Sequence, residues 1–341
     1  MMFWEAGAAH PGLLVSDGFL RVARTEPAGG DTCGVRWVRD DVPDRDARSE
    51  RHVLAAGDAG VARACAEPRS RAEYAADMRQ RAVLSQEREA AAADAAVRRF
   101  DPRRAGLPEV SIADPAAYLD AHQAERPWLT AAGGCSPEVQ RVFAALDQGG
   151  GHAHIRHEGW VTEEMSERRV AYLEDPAQID PAKRSSGIDG VRTPEGPHRC
   201  RETTSRIGNP DAFAVAFVRG VEHPTVKAAL DMAFTPGRIP RPVSLSIADL
   251  LGPDGHRHCT GWRLQPVGDS MAVAREHRAA WVDARAHGRH PDAPEPKAQP
   301  VGTFAGGTIV FAFGPTRARD GYEVVTMYPR PPRDERQGGS R

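Results

Sequence analysis

"GGTIVFAF" (residues 306–313) and "YEVVTMYP" (residues 322–329) flank the loop "GPTRARDG". Two runs rich in β-branched and aromatic residues around a Gly- and Pro-containing loop predict an antiparallel hairpin. Side chains alternate along a strand, so Thr326 and Tyr328 should send both hydroxyls from one face, with Val325 and Met327 turned the other way into a core. A further strand is expected in "VSLSIADLL", residues 243–251.

Upstream of these strands the signals are helical. Asn209 stands before Pro210, and Phe213, Phe217, Val218 and Val221 follow at helical spacing, which predicts a capped helix. "PTVKAALDMAF" predicts a short one after it. "TEEMSERRVAYLEDP" reads as a helix capped by Thr162, with Glu163 and Glu164 at the positive end of its dipole and Pro176 past its stop. Ser136 before Pro137 and Glu138 begins another, which Gly149, Gly150 and Gly151 end. "HAHIRH" just beyond predicts a short strand or turn. Helices with antiparallel strands define an α+β class.

The glycines are expected to divide the chain. Residues 1–148 read as an N-terminal irregular and helical region. In it, residues 1–67 lack apolar periodicity, and Ser70–Phe100 forms an exposed helix rich in Ala, Glu, Gln and Arg. Residues 149–330 read as the main folded domain of short helices on an antiparallel sheet, with 285–300 a surface loop and 331–341 a disordered tail. No internal repeat is present.

Of 341 residues, 40% are hydrophobic and 27% charged, a balance typical of a globular protein with a sizeable core. No run approaches the roughly 20 apolar residues of a transmembrane helix, and "MMFWEAGAAH" lacks the basic start and apolar run of a secretion signal. Localisation is therefore left between a cytoplasmic life and export by a specialised system. The five cysteines (Cys33, Cys65, Cys135, Cys200 and Cys259) are odd in number and form no CxxC pair, so neither a disulfide framework nor a zinc ribbon is suggested. A net charge of -2 gives no global attraction to phosphate, and any nucleic-acid contact must come from a local cluster.

"GGGHAHIRHEG" (149–159) is the chemically densest stretch. If it were a strand, His152 and His154 would share a face, and with His157 they match the histidine spacing of an HxHxDH metallohydrolase signature. Where that signature carries aspartate this chain has Arg156, which cannot ligate a cation. An acid–base reading fits the same residues: imidazole takes and gives protons near neutrality, and an adjacent arginine supplies a fixed charge for an anion. With 13 histidines in the chain, a solvated turn is the third reading.

In order, "GGHAHIRHEG", a helix carrying Arg168, a Phe/Ala-rich helix and the strand "YEVVTMYP" resemble the RNase A-like toxin domain of bacterial contact-dependent growth inhibition and other polymorphic toxins. The family's domain opens on Gly-Gly-His running into Arg-His-x-Gly, has an arginine in the next helix and ends in a Thr-x-Tyr-Pro strand. Where this chain has Glu158 the family usually has valine. The resemblance covers about residues 149–330 and implies an RNase A-like fold and metal-independent RNA cleavage to a 2′,3′-cyclic phosphate, with no cofactor. It implies His157 as general base or acid, Arg168 on the scissile phosphate, and Thr326 and Tyr328 as hydroxyl partners. His152 becomes the second proton carrier, and Arg156, His154 and Arg169 the flanking substrate contacts. RNA, including tRNA, is the implied substrate, and a small cognate immunity protein the implied partner. The rivals are a non-catalytic protein-binding module and a zinc metallohydrolase.

Overall fold

The computed structural model describes residues 71–108, 113–177 and 202–332, together with short paired strands elsewhere. The chain divides into two compact units, Met1–Ala90 and Ala91–Arg341. In the first, β1 (Met2–Trp4) pairs with β2 (Leu13–Val15), and β3 (Arg21–Pro27), β4 (Cys33–Arg39) and β5 (Arg51–Leu54) form an antiparallel three-stranded sheet. This corrects the expectation of irregular structure over 1–67. Its strands are short and laced with charge, so pairing rather than local pattern reveals them. Helix α1 (Arg71–Arg98) follows in sequence.

The second unit contains α2 (Pro115–His122), α3 (Pro137–Gln148), α4 (Ala153–Arg156) and α5 (Glu163–Tyr172). A two-residue pair, β6 (Arg192–Thr193) with β7 (Gly196–Pro197), precedes β8 (Thr203–Ile207), α6 (Pro210–Glu222) and α7 (Pro224–Leu230). Then come β9 (Val243–Ser246), α8 (Ile247–Leu251), β10 (Cys259–Leu264), α9 (Met271–Ala286), β11 (Ala298–Pro300), β12 (Thr308–Pro315) and β13 (Tyr322–Arg330). Beside the β6-β7 pair, two three-stranded antiparallel sheets result among the described residues, ordered β11-β10-β8 and β13-β12-β9. The α+β class holds among the described residues.

The expected division at 148/149 falls inside one hydrophobic core. Val142, Phe143 and Leu146 of α3 share that core with Phe213 and Phe217 of α6 and with Phe311 and Met327 of the hairpin. The described residues from 91 onward therefore share one core with the strands. The predicted caps are present: Ser136, Thr162 and Asn209 accept the backbone N–H groups of Val139, Met165 and Ala212. Gly220 of α6 lies against Phe311, whose ring stands 2.0 Å from where a β-carbon would be, so helix and sheet approach only because no side chain intervenes.

Other elements depart from expectation. Of the strand or turn expected for "HAHIRH" the chain takes a helical turn, and "VSLSIADLL" is strand only to Ser246, which caps α8. Helix α9 and strand β10 carry no strong local signal, and β11 occupies part of the expected 285–300 loop. The tail from 333 lies outside the described residues. No described helix is long and apolar enough to cross a membrane.

Candidate functional site at the seam of the two sheets

The register of β13 creates the site. Ala312 pairs with Thr326 but Phe313 pairs with Val324, so Val325 is an extra residue, a β-bulge. Ile309, Phe311 and Phe313 keep their period of two into the core; on β13 the core residues are Val324 and Met327, both 0% exposed, with the bulge between them. The core neighbour before Thr326 is thus Val324 rather than Val325. The bulge is what lets Thr326, Tyr328 and Arg330 leave the core face that Val324 occupies.

The same bulge docks the glycine stretch. Its carbonyl at Val325 accepts the His152 N–H at 2.7 Å, and a β-carbon on Gly151 would stand 2.8 Å from the Val324 oxygen. Gly150 donates its N–H to the buried Glu323 carboxylate, and Arg317 donates to the Gly149 carbonyl. Gly149–Gly151 is a clamp onto β13, not a division of the chain.

From this clamp the short α4 delivers His157 at its C-terminal end. The His157 backbone donates to Ala153 at 2.9 Å and accepts from Ile207 at 2.9 Å, fastening it to the outer edge of β8. Its Nδ1 lies 2.7 Å from the Ser205 carbonyl oxygen. A carbonyl only accepts, so Nδ1 carries the proton and Nε2 the basic lone pair of the neutral ring. The Tyr328 ring lies 5.3 Å away, centroid to centroid. The Ser205 hydroxyl donates to the Pro329 carbonyl and closes the seam between β8 and β13. Beside Tyr328 on that strand face, the Thr326 hydroxyl is buried and has no hydrogen-bond partner.

The other expected site residues keep different company. Arg156 is buried, and its guanidinium grips Asp175 with two hydrogen bonds of 3.0 and 2.7 Å. Arg169 is buried beneath β8, with Nη1 3.4 Å from the Thr204 hydroxyl. His154 is 1% exposed and faces Asp147 at 3.8 Å. These three residues are wholly buried, unlike the half-buried Thr326 and Tyr328, and do not line the surface of the seam, which corrects their expected role. Arg168 makes a two-pronged ion pair with Glu174, at 2.7 and 2.8 Å, and lies over Tyr172. It makes no hydrogen bond or ion pair with His157, Thr326 or Tyr328. His152 caps α4 and His154 lies within it, so neither is in the extended backbone that would give a His-x-His strand its shared face. No group of three or more His, Cys, Asp or Glu side chains is placed to hold a metal ion among the described residues.

Glu158, next to His157, is fully buried and accepts the Trp160 N–H at 3.1 Å. Burial pushes its carboxyl up to about 7, against the backbone N–H groups of Trp160 and Gly159 and the charge of Arg206. Cys135, raised chiefly by its own burial, also feels Asp211 and Glu158. The folded value lies above the ordinary 4.5, so between 4.5 and about 7 the folded chain binds more protons than the unfolded one. Stability therefore falls as pH rises through that window, by about 3 kcal/mol in full. Glu158→Gln is neutral throughout. Urea unfolding should find it about as stable as the parent at pH 5 and more stable by up to about 3 kcal/mol at pH 8. Equal stabilities at pH 8 would show that the carboxyl ionises without penalty.

Sequence reasoning did not single out Ser205, Asp147 or Arg330. The first meets His157 through a carbonyl, which any residue has, and Pro329 through a hydroxyl whose partner is distant in sequence; the second also acts through distant partners. Arg330 had a readable signal: it is two residues beyond Tyr328, in strand phase with Thr326. Comparison of the chain with protein-family models, with curated proteins and with solved structures finds no match.

Proposed function

We propose that the seam around His157 and Tyr328 is a metal-independent ribonuclease site. In this reading residues 149–330 have the RNase A-like arrangement of the toxin domains that the sequence resembles. The supporting observation is one geometric unit: an imidazole whose Nδ1–H is held by the Ser205 carbonyl, beside the Tyr328 ring, above a strand face with a buried, partnerless Thr326 hydroxyl. A buried hydroxyl without a partner costs about 1–3 kcal/mol, a debt that a ligand oxygen would relieve.

His157 Nε2 takes the proton of a ribose 2′-hydroxyl; the 2′-oxygen attacks phosphorus and the 5′-oxygen leaves with a proton, giving a 2′,3′-cyclic phosphate. Thr326 donates to a non-bridging oxygen as charge builds there. Tyr328 and His152 are the two candidates for the proton on the leaving oxygen. A toxin of this kind requires a cognate immunity protein over the cleft, and RNA, tRNA included, is the substrate class.

The test is incubation of the full chain with RNA in excess EDTA. Cleavage to fragments ending in 2′,3′-cyclic phosphate is expected. Cleavage that stops with EDTA, together with stoichiometric zinc in the purified protein, would replace this reading with the metallohydrolase; absence of cleavage in any preparation would leave a binding module.

A further inference from the structure

Transfer of a phosphodiester through a phosphorane-like transition state concentrates negative charge on two non-bridging oxygens, which a cation at hydrogen-bonding distance stabilises. The arginines that the sequence offered for this task are engaged elsewhere: Arg168 with Glu174, which Arg285 also holds at 2.9 Å, Arg156 with Asp175, and Arg169 under β8. Arg330 is placed differently. It ends β13 on the strand face that carries Thr326 and Tyr328, and pairs across the sheet with Thr308. Its side chain is exposed, its guanidinium carbon lies 5.9 Å from the Tyr328 ring centroid, and one Nη donates to the Tyr328 hydroxyl at 3.2 Å. Among the described residues it makes no ion pair with a carboxylate.

We infer that Arg330 is the phosphate-binding cation of this cleft, so that Thr326, Tyr328 and Arg330 form one strip along β13 for a single phosphodiester. The inference rests on the ribonuclease reading of the same site. A guanidinium has five N–H donors in a planar fork, and the contact with Tyr328 uses one, so a two-pronged grip on phosphate remains open. The cation–π contact with the Tyr328 ring and the hydrogen bond to its hydroxyl orient the fork, and the donated hydrogen bond leaves the phenolic proton free to be given to the substrate. A lysine, a point charge on a flexible stem, reproduces neither property.

The experiment compares wild type, Arg330→Ala, Arg330→Lys and Arg168→Ala. Two measurements are made on each: cleavage of a short single-stranded oligoribonucleotide, and binding of the 2′-deoxy oligonucleotide of the same sequence, which lacks the attacking hydroxyl, at several salt concentrations. Arg330→Ala should lower kcat by about 10²-fold, with Arg330→Lys regaining a tenth of the loss or less. The slope of log affinity against log salt should shrink by about 0.7, one phosphate contact on a single strand. Wild-type rate and slope in Arg330→Ala overturn the proposal, and so does a slope change found in Arg168→Ala alone. If wild type binds the deoxy oligonucleotide but cleaves no RNA, the ribonuclease reading falls and the salt slope still decides the role of Arg330. If wild type binds no oligonucleotide, both fall.

Discussion

His157→Ala is expected to lower RNA cleavage by about 10³- to 10⁴-fold while costing only about 1 kcal/mol of stability. The two quantities separate because the imidazole has two different jobs at its two nitrogens. Nδ1 holds the Ser205 carbonyl at 2.7 Å, one hydrogen bond at a partly buried site. Nε2 is the proton acceptor of the proposed reaction. The backbone contacts that fasten this residue to Ala153 and Ile207 do not involve the side chain and survive any substitution other than proline. His157→Asn sharpens the comparison, since its amide N–H can reach the same carbonyl without supplying a base: stability near wild type, rate as low as alanine. Single-turnover cleavage beside thermal unfolding measures both. Asparagine cleaving at a wild-type rate would remove His157 from the chemistry.

Those parts of the fold that depend on neighbouring residues in sequence were legible. The caps at Ser136, Thr162 and Asn209 are local hydrogen bonds between a side chain and the next turn, and the hairpin joins strands across a short loop. The parts that depend on distant partners were not. Nothing in "YEVVTMYP" marks Val325 as an extra residue; the bulge exists because Phe311 and Phe313 on the facing strand both need core partners while the Val325 carbonyl binds His152. "HAHIRH" has strand-like alternation, yet its backbone closes a helical turn because clamps at both ends leave it room for nothing longer.

The site shows the same division. That His157 and Tyr328 meet follows from the order of motifs only through resemblance, whereas the 5.3 Å between their rings comes from β8 and β13 being tied through Ser205 and Pro329. Arg168 fails to join them for a reason hidden one residue past the end of its helix. Leu173 adopts a left-handed conformation, φ 56°, which turns the chain back so that Glu174 reaches the guanidinium. A helix stop was readable at Pro176; the conformation of the stop, which decides where the arginine goes, was not.

Asp147→Ala should be the most destabilising single change at this site, costing about 3–5 kcal/mol at pH 7, the usual effect of removing one partner from a buried charged network. Asp147 lies in the last turn of α3 and its side chain is 4% exposed; it accepts from Trp128 Nε1 and the Tyr118 hydroxyl at 2.9 Å each and from Arg126, and it faces His154 on α4. Burial alone would raise this carboxyl, but the His154 ring, the Trp128 indole and the Tyr118 hydroxyl together hold it well below the usual carboxylate range. With the folded value depressed, its stabilisation is present above the unfolded value of 3.8 and is lost as pH falls through the folded value. His154 is also depressed, by burial first and against the pull of Asp147, so its protonation begins to favour the unfolded chain as pH falls below 6.5. Wild type and Asp147→Ala should therefore differ most in urea unfolding near neutrality, and the difference should narrow only well below pH 4. Because Asp147 faces the helical turn that ends in His157, the loss of rate in Asp147→Ala should exceed what its unfolded fraction explains. A variant with the predicted loss of stability and an unchanged kcat would show that α4 is held in register by its backbone contacts to β13 and β8 without Asp147, through the Val325 carbonyl, the glycine clamp and the Ile207 N–H.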